Sequence, residues 1–174
     1  MFINSQIAKD VVNFHCPRYE EFPDIGLYME QLIEFLNSNL EVFKTEDGKK
    51  IITSTMVNNY VKQKIIVPPV NKKYSRNQLV YLYVVGMLKQ ILSISEISET
   101  IKKALEIYPL VTAYNFFCVE LEKAIHAAFV TRDFSAPSSA SKDTDFSEAF
   151  RSVLLSFVNK MYVVKFLEYS RSEQ

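Results

Sequence analysis

Glycine is scarce in this chain of 174 residues, occurring only at Gly26, Gly48 and Gly86. Three isolated glycines cannot build a phosphate-cradling loop, and tight primed hairpins are not expected, so helices joined by polar turns are favoured. Tryptophan is absent, and the two cysteines, Cys16 and Cys118, have no paired spacing. A disulfide framework is therefore not indicated, and a reducing, cytoplasmic setting is the expectation. Long apolar runs are also missing. The longest nearly unbroken one, residues 79–88, is ten residues, whereas a membrane span needs roughly 17 to 25. It reads as a buried helix. No basic stretch followed by an apolar core opens the chain, and Asp10 interrupts what hydrophobicity follows Met1, so no secretory leader is expected.

The most telling absence is local. Residues 49–89 contain no aspartate or glutamate but eight lysines and arginines, in a chain with 20 basic and 20 acidic side chains. The rest of the chain then carries twelve basic and twenty acidic groups, so a formal net charge of zero conceals a strong dipole. Local basic blocks supply the electrostatic footprint of polyanion binding. Catalysis and metal binding find little support. His15 beside Cys16 lacks ligand spacing, and Cys118 and His126, eight residues apart, diverge by about 80° on a helix. Glu20 and Glu21 are adjacent and point apart, and no nucleophile motif is present. No enzyme activity, metal or cofactor is expected.

With 48% apolar residues the chain has material for a core. Residues 1–22 are weakly periodic and read as loop or short helix. Asp24 is a candidate N-cap, and Ile25, Met29, Leu32, Leu36, Leu40 and Phe43 predict a helix over 25–42. A turn follows at Asp47 and Gly48. Thr53 caps a short helix over 54–64, with Ile52 and Val57 fixing its entry. Its apolar face is Met56, Val57, Tyr60 and Val61; Thr55, Asn58, Asn59 and Lys62 share the other side. The β-branched run Ile65, Ile66, Val67, then Pro68 and Pro69, predicts a short two-stranded ribbon reaching Tyr74. A Ser75 and Gln78 capping box opens an apolar helix over 76–92, and Ser93 with Glu96 opens the next, ending before Pro109. Helices over 112–131 and 146–169 flank a Ser-, Ala- and Asp-rich mobile loop at 133–145. The apolar surface of the last helix, widened by Leu154, Val158 and Tyr162, suggests self-association as a homodimer. Two regions are expected, 1–108 and 109–174. The stripe Tyr114, Phe117 and Leu121 could line a pocket for a small-molecule effector, although such stripes are usually core.

The run TSTMVNNYVKQKIIVPPVNKKY at 53–74, with the following helix and LSISEI at 92–97, resembles the DNA-binding half of the MerR family. The shared features are a threonine start, a late aromatic in the recognition helix, a proline exit, a tyrosine after the wing and a serine-rich entry to the next helix. Two features depart from that pattern: the wing is shorter, and Asn59 stands where that family usually has an arginine. Most of the chain resembles the bacterial domain of unknown function 1836, through FPDIGLYMEQ at 22–31, NNYVK at 58–62, KKYSR at 72–76 and LKQILSISEI at 88–97. That resemblance implies a mostly helical protein of regulatory role, with no reaction or ligand attached. The combined expectation is an all-α protein with a MerR-like helix-turn-helix, a short β-ribbon wing and a C-terminal helical region, binding double-stranded DNA. Thr55, Asn58, Asn59 and Lys62 are the expected base contacts; Lys64, Lys72, Lys73 and Arg76 are the expected phosphate contacts. Tyr60 and Tyr74 are read as packing. The alternative is a protein-interaction module whose basic face docks an acidic partner.

Overall fold

The computed structural model describes residues 1–45, 48–141 and 144–173. Among them are seven α-helices: α1 (Gln6–Val12), α2 (Met29–Asn39), α3 (Ser54–Lys62), α4 (Arg76–Leu88), α5 (Ile94–Ile107), α6 (Leu110–His126) and α7 (Asp145–Ser172). The all-α expectation holds. No helix among the described residues is long and apolar enough to cross a membrane.

Several boundaries moved for identifiable reasons. α2 begins at Met29, because the backbone of Leu27 is taken by Tyr74, with N···O distances of 3.0 and 2.8 Å. Asp24 therefore precedes extended chain, and Gln31 instead accepts from the Tyr28 N–H at 3.0 Å. Thr53 caps α3 as expected, accepting from Met56 N–H at 3.3 Å. Gln78 and Glu96 accept from the Ser75 and Ser93 N–H groups, each at 2.7 Å, at the starts of α4 and α5. α6 stops at His126 and passes into a π-helical turn, Ala127–Thr131, ended by Arg132 at φ 57°. Asp47 of the expected turn lies outside the described residues; Gly48 has φ 65°, the left-handed value a turn glycine accepts.

The ribbon expected over 65–74 is not formed. No strand occurs among the described residues, only the isolated bridges Leu27 to Tyr74 and Val70 to Lys73. Pro68 and Pro69 have no N–H to donate, and the Val67 carbonyl accepts from Gln78 Nε2 at 2.8 Å, so no ladder can extend. What remains is one tight turn. Asn71 and Lys72 sit at φ 50° and 62°, both positive as in a type I′ turn. The scarcity of glycine therefore did not exclude a primed turn, since asparagine tolerates the left-handed region.

The chain packs as two compact units, Pro17–Glu99 and a second unit of Met1–Cys16 with Thr100–Gln174; the division expected from sequence lay near residue 108. In the first unit α4 is buried nearly all round, through Leu79, Leu82, Tyr83, Val85 and Leu88. Phe22 meets Tyr83 edge-on at 5.6 Å and Phe35 at 5.4 Å. In the second unit Phe2 lies among Phe129, Tyr162 and Phe166, with ring centroids at 6.2, 5.3 and 5.7 Å. Leu154 and Val158 of α7 are buried there, so the wide surface that suggested a dimer is covered within the unit. The large apolar side chains left exposed on α7 are Val163, Phe166 and Leu167. Tyr114, Phe117 and Leu121 are core. Of the 133–145 loop, residues 133–141 and 144 are described outside helices, and Lys142 and Asp143 lie outside the described residues. Arg151 donates to the Phe134 and Ala136 carbonyls, tying that segment to α7.

Candidate nucleic-acid interface

The candidate site is built where α2 hands the chain to α3. Asn37 is buried on α2, and every polar valence of its amide is used. Nδ2 donates to the Ile33 and Ile52 carbonyls, both at 2.8 Å; Oδ1 accepts from Ile51 N–H at 2.8 Å and Ile52 N–H at 3.2 Å. The loop entering α3 is thus pinned to α2 by one side chain. Ile52, fully buried, packs against Gly86 of α4, where an added Cβ would stand 2.9 Å from its Cδ1. Lys89 closes the same corner, donating to the Ile51 carbonyl and lying 3.0 Å from Met56 Sδ. Burial holds its ammonium below the usual lysine range.

α3 is oriented by burying Val57 and Tyr60. Thr55, Asn58, Asn59 and Lys62 are all exposed, on one face. The helix ends with Lys64 at φ 58°, and the Ile65 and Ile66 N–H groups return to the Tyr60 carbonyl at 3.0 and 3.4 Å. Burial raises the Tyr60 and Tyr74 hydroxyl pKa values, in keeping with the packing roles expected. Gly26 lets its extended segment lie close to the turn: a Cβ there would come 2.9 Å from Lys73 Cβ.

The eight cations of the acid-free segment divide by environment. Lys49, Lys50, Lys62, Lys64, Lys72 and Lys73 are exposed. The Lys73 ammonium lies 5.1 Å from the Tyr28 ring centroid. Lys89 faces inward. Arg76 is held by Glu20 at 3.0 Å and stacks 5.3 Å from the Tyr19 ring, whose hydroxyl donates to Asn77 at 2.6 Å. It therefore differs from Lys64, Lys72 and Lys73, with which it was grouped: an acid from outside the segment already partners it. Sequence reading missed Asn37, Lys89 and Glu20. Asn37, polar between apolar neighbours on a helix, carried a visible signal; the other two did not, because their partners are distant in the chain.

A family description, Domain of unknown function (DUF1836), matches residues 17–117. The match begins where the first compact unit begins and covers all of it. No curated protein and no solved structure matches the chain.

Proposed function

We propose that this chain, which belongs to the DUF1836 family, is a DNA-binding transcriptional regulator of the winged helix-turn-helix type, resembling MerR proteins. α2 and α3 form the helix pair, α3 enters the major groove, and the 70–73 turn serves as a minimal wing along the phosphate backbone. The observation that carries the reading is the combination on one segment of an all-polar exposed helix face with six exposed lysines and no carboxylate of its own. Asparagine can pair bidentately with adenine edges, so Asn58 and Asn59 are the assigned base readers beside Thr55 and Lys62. Lys64, Lys72 and Lys73 take phosphates. A dimer would read two half-sites, which light scattering on the free and DNA-bound protein measures directly.

The test is the salt dependence of binding to sheared genomic DNA. Each neutralised phosphate contributes about 0.9 to the slope of log affinity against log salt, so Lys72→Ala and Lys73→Ala should each flatten it by nearly one unit. Asn58→Ala with Asn59→Ala should reduce sequence preference and leave non-specific binding nearly intact. Equal loss on every sequence would remove the base-reading role. One observation favours the docking alternative: Val67 and Val70 are 68% and 75% exposed beside Lys72 and Lys73, an apolar and basic surface suited to an acidic peptide. Absence of any DNA binding at low salt would leave that reading in place.

A further inference from the structure

A cavity of about 320 Å³ opens among α5, α6 and α7, entirely within the unit that resumes at Thr100. Its walls include Ala104, Tyr108, Ala113, Phe116, Phe146 and Phe150, and residues 139–141 close one side. The aromatic rings are arranged as a row. Phe146 stacks on Phe150 at 6.0 Å with planes 19° apart, and Phe150 on Phe116 at 6.0 Å and 30°. Near-parallel rings along a cavity offer their faces to a flat, polarisable guest. None of the described lining residues is charged, so none of them supplies a counter-ion to a charged guest.

The polar side chains that line the space among the described residues, Thr112, Asn115 and Ser147 with them, are uncharged, and Tyr108 lines it too. The Tyr108 hydroxyl is shut off from water and has no hydrogen-bond partner among the described residues. A guest in the cavity therefore does not reach that O–H. The closing segment is held in place from behind. Glu120, 2% exposed, accepts from Ser139 N–H at 2.7 Å and from Lys123 at 3.1 Å, while Lys123 also donates to the Pro137 carbonyl at 2.5 Å. The wall is therefore fixed by pins that do not themselves line the space. A cavity of this size lies within the range of small-molecule sites.

We infer that this cavity binds a neutral, planar aromatic molecule of two or three rings, stacked along Phe116, Phe150 and Phe146. The inference goes beyond the DNA reading and does not depend on it, since every described lining residue belongs to the other compact unit. The test uses the full chain without DNA and the neutral naphthalene ketone prodan as a fluorescent probe, with planar flavone and non-planar dicyclohexyl ketone as competitors. Saturable one-to-one binding is expected, displaced by flavone and not by dicyclohexyl ketone. Phe116→Leu keeps an apolar side chain and removes the ring face, and should weaken prodan binding roughly two- to tenfold, the worth of one aromatic contact. Ala113→Leu fills the cavity and should abolish binding while the thermal melt is unchanged or raised. No saturable binding by folded wild type, or undiminished binding by folded Ala113→Leu, overturns the site. Equal competition by dicyclohexyl ketone overturns the ligand class, and unchanged affinity in Phe116→Leu overturns the stacking on that ring. Should Ala113→Leu not fold, the competitor pair and Phe116→Leu decide alone.

Discussion

Asn37→Ala is the most informative single perturbation of the α2 to α3 corner. The amide makes four hydrogen bonds, and alanine leaves the Ile51 and Ile52 N–H groups without their acceptor in a place where Ile51 is buried and Ile52 is fully enclosed. An unsatisfied buried donor costs about 1–3 kcal/mol. Two donors set a range of about 2–6 kcal/mol, and water entering the vacated volume recovers part of it. The expected loss is about 3 kcal/mol, a large share of the stability of an ordinary domain. Because the chain has no tryptophan, urea unfolding is followed by circular dichroism at the helical band. Native-state hydrogen exchange then localises the loss: α3 amides should lose protection while α6, in the other unit, keeps its own. A loss below about 1 kcal/mol, or equal deprotection of α3 and α6, would refute the assignment of Asn37 as the pin that positions the candidate reading helix.

Gly86→Ala sets a helix-propensity gain of about 1 kcal/mol against overpacking of about 1–3 kcal/mol, because the new methyl meets Ile52 Cδ1 at 2.9 Å and Leu40 Cδ1 at 3.2 Å. Net destabilisation is expected, and adding Ile52→Val, which removes that Cδ1, should recover part of it in a double-mutant cycle. Lys89 has a lowered pKa from burial, so between that value and the ordinary lysine pKa the unfolded chain holds more protons than the folded one. Stability should rise with pH across that window, and Lys89→Met should flatten the rise in urea midpoints. For Glu120, burial would raise the pKa, but hydrogen bonds from Ser139 and the nearby Lys123 outweigh it and the carboxyl is lowered. Its contribution is present above the ordinary carboxyl range and lost as pH falls through the lowered value, so Glu120→Gln should reduce stability at neutral pH and weaken the acid dependence of unfolding.

Much of the helical framework was legible because its determinants are local. Thr53, Ser75 with Gln78, and Ser93 with Glu96 announce helix starts within four residues of themselves, and the apolar face of α3 follows from spacing alone. The exposure of Thr55, Asn58, Asn59 and Lys62 is the complement of that same periodicity. The expected ribbon does not form because β propensity in 65–67 competes with contacts made elsewhere: Gln78 claims the Val67 carbonyl, and two prolines withhold donors. Likewise Asp24 lost its cap role to a bridge between Leu27 and Tyr74, forty-seven residues apart in the chain.

By itself the sequence determined the all-α class, most helix starts and the acid-free cationic segment, since composition, period and capping act over a few residues. Only the tertiary structure decided that Met1–Cys16 packs with the C-terminal helices, that Arg76 belongs to Glu20, that Asn37 pins the entry to α3, and that three phenylalanines line one cavity. Each of these depends on contacts between residues far apart in the chain, whose formation is governed by how apolar faces bury one another, and no local pattern encodes that choice.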